Sequence, residues 1–184
     1  MPGANSDLTL YQRLLGDDYV LLPPVLQEFH SRPNGGEANG ILNIERRPDL
    51  LRRTLANLLA LPPAGKVVPL TLKVIPEGNR ERWIRHFGCH RLETIQWQEG
   101  EYLIEKAGVA EFVFRVTASR QGLAFTYQHN RVGTLRVPPL LSTPVNATAN
   151  GNDGCWTIKV DIHSALLGRL TTYTGEITPT ATKE

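Results

Sequence analysis

Apolar residues recur at helical spacing along the first third of the chain and at strand spacing along the rest. Leu8, Tyr11, Leu14 and Leu15 share one side of a helix that Ser6 or Asp7 can cap and Gly16 can stop. Pro23 and Pro24 suit the first turn of a second helix, in which Val25, Leu26 and Phe29 form an apolar patch. The run from Ser31 to Gly36, rich in Gly with one Pro, ends it, and residues 37–45 form a strand candidate. From Pro48 the helical period returns: Leu51, Leu55, Leu58 and Leu59 make a stripe, Arg52, Arg53 and Asn57 lie off it, and Pro62 with Pro63 closes the segment.

Beyond Gly65, short runs rich in Val, Ile, Thr and aromatics alternate with Gly, Asn or Pro punctuation. Strands are predicted over 67–75, 80–87, 91–98, 102–106, 110–119, 123–132, 146–149, 155–163 and 170–177. Hairpin chemistry supports the links at Gly78-Asn79, Glu99-Gly100, Ala107-Gly108 and Arg120-Gln121-Gly122, and at the loop from Asn150 to Gly154. So many consecutive strands form a meander, which must close or curl strongly to hide its edges. The expected fold is α+β and mostly β: N-terminal helices packed on a strongly curled antiparallel sheet or closed barrel of the lipocalin kind. One domain spans 1–184, with a mainly helical part at 1–65, a β part at 66–178 and a tail at 179–184.

Composition narrows the class. The chain has 184 residues, 41% of them hydrophobic, which is enough to enclose a core. Twenty basic and 18 acidic side chains leave a formal charge of +2, an argument against nucleic acid or a membrane as a partner chosen by bulk charge. No apolar stretch is long enough to span a bilayer, and the first residues lack a basic segment followed by an apolar one. A cytoplasmic protein is expected. Cys89 and Cys155 are then expected as free thiols.

The segment from Arg80 to Arg91 is the most unusual. Strand alternation puts Glu81, Trp83, Arg85 and Phe87 on one face and Arg82, Ile84 and His86 on the other. Two readings are open for the first face. It is a pocket wall, with aromatics for area and Arg85 as a grip on a polar group, or a solvated face on which Arg85 and Glu81 pair. Glu105 shares a face with Leu103, so it either neutralises Arg85 across the barrel or acts as a general base.

Other constellations are weaker. His86, Cys89 and His90 lack the second ligand pair a zinc site needs, so no metal is expected. Cys89 with a nearby His as a nucleophilic pair would need a contact that spacing cannot supply. The aromatic and basic residues of 80–91 also suit a single-strand nucleic-acid platform, but the rest of the chain lacks the matching basic bias. Asp161 and His163 share a strand face with no assignable nucleophile, and a solvated face accounts for them. Phosphate-cradling glycine motifs are absent, so no cofactor is expected.

Several fragments together resemble a bacterial family, domain of unknown function 4166. They are the stretch from Leu10 to Asp17, Leu22-Pro23-Pro24 with Phe29-His30, Leu61-Pro62 before Gly65, and Glu81, Trp83, Arg85 and Phe87-Gly88 at alternate positions. Leu103 with Glu105, Gly168, and Tyr173 with Gly175 complete the set. The chain departs from the family pattern at Cys89-His90 and at Ile162-His163-Ser164. The resemblance implies a domain working beside small-molecule metabolism, alone or with an NAD-binding oxidoreductase. It gives priority to Glu81, Trp83, Arg85, Phe87, Glu105 and Tyr173 without giving them a role.

The expected function is therefore binding of a small apolar molecule with a polar or acidic group. Trp83, Phe87 and Tyr173 would line the cavity, Arg85 would hold the polar group and Glu105 would fix Arg85. The alternative is a cofactor-free isomerase, cyclase or dehydratase in the same cavity, with Glu105 or Glu81 moving a proton and Arg85 stabilising charge.

Overall fold

The computed structural model describes residues 8–47, 49–58 and 61–181. Helix α1 (Leu10–Leu15) begins at Thr9, whose backbone N–H donates to the Gln12 side chain at 2.9 Å. The predicted caps Ser6 and Asp7 lie outside the described residues, as does Leu59. Gly16, at φ 53°, ends α1 as expected, but a 3-10 turn over Gly16–Leu21 follows that periodicity did not indicate. Helix α2 (Pro24–His30) starts on its proline and buries Val25, Leu26 and Phe29.

The strands are β1 (Gly36–Arg46), β2 (Gly65–Glu77), β3 (Arg80–Phe87), β4 (His90–Glu99), β5 (Tyr102–Ala107) and β6 (Ala110–Ala118). They continue with β7 (Gly122–Val132), β8 (Leu135–Arg136), β9 (Val145–Asn152), β10 (Cys155–Ser164) and β11 (Gly168–Pro179). Every pairing is antiparallel; β1 joins β11 on one side and β2 on the other, while β6 pairs with β7. That pairing closes a ten-stranded barrel in which only the two-residue β8 hangs outside the ring. The mostly β fold with N-terminal helices thus stands. The part labelled helical, 1–65, also contains β1, an eleven-residue barrel strand. The unpredicted β8 is too short to carry a period, and the strand expected at 146–149 runs on to Asn152.

Helix α3 (Leu50–Leu58) corrects one assignment. Leu51, placed on the buried stripe, is exposed, and Ala56 is the buried residue instead. The helix touches the barrel along a narrow line where Leu55 packs near Val160, Ile162 and Leu170. Arg52 is also drawn inward, its Nε donating to the Leu167 carbonyl at 2.6 Å.

Helices α1 and α2 stop one end of the barrel. Leu10, Tyr11, Leu22, Leu26 and Phe29 are buried there, each contributing about 1.5–3 kcal/mol of apolar burial. Phe29 meets Trp156 at 5.0 Å between ring centroids, and Tyr11 Oη donates to Gln96 Oε1 at 3.0 Å. Gly151 on β9 makes room for this plug: a Cβ there would lie 2.4 Å from the Pro23 Cβ. A proline ring cannot swing aside. Gly151→Ala should therefore cost about 1–3 kcal/mol in urea unfolding.

Candidate functional site

Inward-pointing side chains enclose a cavity of about 730 Å³ running from the plug to the opposite end. Its wall is mainly apolar, with Leu42, Leu70, Leu72, Phe114, Phe125 and Trp156 among the lining. Trp83, Arg85, Phe87, Glu105 and Tyr173 all line it too. Phe87 and Tyr173 meet edge to face at 5.9 Å. Adjacent register on β3, β4 and β5 concentrates the polar groups, because Thr94 stands opposite Trp83 and Gln96 stands between Glu81 and Glu105.

Arg85 and Glu105 form an ion pair, Nη1 to Oε1 at 3.1 Å. Thr94 ties them together: its hydroxyl accepts from Arg85 Nη1 at 2.8 Å and donates to Glu105 Oε1 at 2.7 Å. The guanidinium also lies 5.0 Å from the centre of the Trp83 ring. Both polar contacts engage Nη1 alone. Among the described residues nothing accepts from Arg85 Nε or Nη2, the two parallel donors that form its side-on fork. An apolar cavity thus holds a pair of aligned, unused donors.

Burial in the cavity wall pushes the Tyr173 hydroxyl up to about 12, with Arg85 pulling down and Glu105 pushing up. Tyr11 is likewise raised by burial and by Glu81. His30, also on the wall and 3.9 Å from the Tyr11 ring, is pushed down to about 3 by burial, so it is a neutral imidazole.

Glu81 takes a different place. It is buried against the plug, where it accepts from Trp83 Nε1 at 3.0 Å and from the Leu10 backbone N–H. Burial raises it to about 7 against the opposing effect of the Trp83 bond. It anchors α1 to β3, while Arg85 pairs with Glu105. Thr94 and Gln96 are not among the sequence candidates, and Tyr11 and His30 enter the sequence reading only as a helix-stripe position and as part of a family fragment. Thr94 and Gln96 carried a signal, being polar residues at alternate positions on the inner parity of a predicted strand.

The remaining candidates lie elsewhere. Asp161 accepts from Thr172 at 2.8 Å and lies 3.6 Å from Lys159 on the outer face. Cys89, on the turn between β3 and β4, and Cys155, the first residue of β10, are free thiols at opposite ends of the barrel. Among the described residues no three His, Cys, Asp or Glu side chains converge on a point where a metal ion could sit, and no helix is long and apolar enough to cross a membrane.

A family model described as "Domain of unknown function (DUF4166)" matches residues 22–177. No curated protein matches the chain. The barrel is similar to a crystal structure of a protein of unknown function from the DUF3598 family of Nostoc punctiforme, with a TM-score of 0.53 at 10% identity. That likeness covers 97% of this chain and 53% of the other, so this chain spans about half the length of its structural neighbour. At such low identity the likeness concerns the fold alone.

Proposed function

We propose that this chain, which belongs to the family described as domain of unknown function DUF4166, binds a small apolar molecule inside its barrel and holds that molecule's polar group on Arg85. The observation that carries the reading is the free Nε and Nη2 fork of Arg85 in a wall otherwise mostly apolar. The fork reaches the accessible surface of the lumen, where an acceptor oxygen on a ligand can take both donors in a setting mostly walled by apolar side chains. The volume of about 730 Å³ lies in the range of small-molecule pockets.

Charge count refines the ligand. Arg85 is already neutralised by Glu105, so a carbonyl oxygen adds no net charge to the lumen whereas a carboxylate adds one. Two like charges about 6 Å apart repel by ~3 kcal/mol at an effective dielectric of about 20, and lumen water lessens that. A carboxylate also gives up far more hydration than a carbonyl on entering an apolar lumen. This cost together with the Glu105 repulsion offsets its attraction to Arg85, so ketones and esters should bind more tightly than carboxylates of equal length. Glu105→Gln should reverse the preference, tightening carboxylate binding by roughly tenfold and leaving ketone binding within a few-fold. Glu105 serves to position Arg85, and Glu81 faces the plug; neither arrangement favours the catalytic alternative.

Trp83 reports on the site because its ring lies against the guanidinium. Titration with a panel of ten- to twelve-carbon ketones, esters and acids should change its emission saturably. Native mass spectrometry of protein purified from its own host should show a small-molecule adduct. No response across the panel and no adduct would remove the reading.

A further inference from the structure

We propose that the open end of the barrel docks, mouth first, on an anionic phospholipid surface. The balanced total of +2 conceals a polarised distribution. The connections at the mouth, residues 46–67, 88–91, 107–110, 132–144 and 164–169, carry eight Lys and Arg side chains against Asp49 alone. At the plug end, residues 8–36, 77–80, 99–102, 118–122 and 152–155 carry seven acidic side chains against four basic. The expectation that near-neutral charge excludes a membrane concerns the total, and the total does not describe this face.

Two further observations mark the same end. Among the described residues, nine of the thirteen exposed large hydrophobic side chains sit on the mouth connections, including Leu50, Leu51, Val109, Leu135, Leu140 and Leu166. Beside them Arg46, Arg47, Lys66 and Arg169 surround a hollow of about 880 Å³, with Glu45 as its one carboxylate. Arg46 Nε is buried there with no acceptor, and burial together with the charge of Arg53 lowers the Arg46 guanidinium. An anionic group would satisfy both conditions.

Basic side chains between protruding leucines are the pattern of a surface that rests on charged headgroups and dips apolar tips into the acyl boundary. A nucleic acid would use the charge and leave the leucines in water. The bilayer uses both. Val109 and Leu141 line the cavity as well as the mouth, so a docked barrel would open its lumen toward the lipid. The docking stands independently of what the lumen binds.

Vesicle co-sedimentation tests this with phosphatidylcholine alone and with about 30% phosphatidylglycerol. The protein should bind the anionic vesicles at low salt, come off them at high salt and fail to bind phosphatidylcholine alone. Arg47, Arg53 and Arg136 are exposed and outside the lumen wall. Changing all three to Gln should weaken binding on the order of a hundredfold, at roughly fivefold per residue. Leu50→Ser with Leu140→Ser should weaken it as well. Orientation is read from emission differences: Leu140→Trp should shift to the blue on anionic vesicles and Leu8→Trp, at the plug end, should not. Absence of binding to anionic vesicles at low salt, binding unchanged in the Gln triple variant, or a blue shift of Leu8→Trp in place of Leu140→Trp would each overturn the proposal. Ketone titration of the same variants should be unchanged, which separates failure here from failure of the ligand reading.

Discussion

Replacing Arg85 with Met should abolish specific binding of carbonyl compounds in the lumen, lowering affinity for a ten- to twelve-carbon ketone by a hundredfold or more. The fork offers two hydrogen bonds from a charged donor, and truncating one partner of such a buried contact costs about 3 kcal/mol or more. Met keeps much of the volume, so the apolar part of the ligand retains its wall. The expected signature is selective: ketones and esters lose affinity and a plain hydrocarbon of equal length does not. Titration calorimetry with the matched pair measures this directly. Equal losses for ketone and hydrocarbon would mean that the substitution had deformed the barrel, and no loss for either would mean that Arg85 does not hold the polar group.

Removing His30 should unmask a pH dependence that the native protein cancels. Glu81, at about 7 in the folded chain against an ordinary 4.5, holds a proton that the unfolded chain has released between those values. Stability from Glu81 therefore rises as pH falls from 7 to 4.5, by about 3 kcal/mol in all. His30 works the other way. At about 3 in the folded chain against an ordinary 6.5, it stays neutral while the unfolded chain gains a proton. Its contribution falls as pH drops from 6.5 to 3, by about 5 kcal/mol in all. The two slopes oppose each other between pH 6.5 and 4.5, and only the His30 slope continues below.

Urea unfolding from pH 8 to 4 should thus show a nearly flat native profile above pH 4.5 as far as these two groups decide it. His30→Phe should gain stability steadily as pH falls from 7 to 4.5, and Glu81→Gln should lose it steadily below pH 6.5. Parallel profiles in all three proteins would contradict the burial assigned to both groups. Both residues lie where the plug meets the barrel, so the same experiment reports on how tightly that end is closed.

Much of the barrel was legible because a strand with one face in the lumen and one in solvent alternates cleanly, and because glycine turns separate the strands. Residues 80–87 and 102–106 show this: parity alone put Trp83, Arg85 and Phe87 on one face and Glu105 beside Leu103. Closure was not legible to that degree, since alternation says which face is inside and not which strand is the neighbour. The pairing of β1 with β11, and of β6 with β7, is a matter of three-dimensional register.

The same limit explains Glu81. It shares parity with Arg85 but lies four residues away, about 13 Å along the strand, which places it at the plug and not at the ion pair. The α3 stripe failed for a related reason: in a nine-residue helix touching the barrel along one narrow line, the buried side is chosen by its neighbours, and it runs through Ala56 and not Leu51.

The central claim is that the Arg85 fork holds a ligand's polar group inside the barrel. A crystal structure grown with 2-undecanone tests it most directly. The ketone oxygen should lie within hydrogen-bond distance of Arg85 Nε and Nη2, with the alkyl chain running along Trp83 and Phe87 toward the mouth. A ketone bound only outside the barrel, or one inside it with its carbonyl turned away from Arg85, would contradict the account.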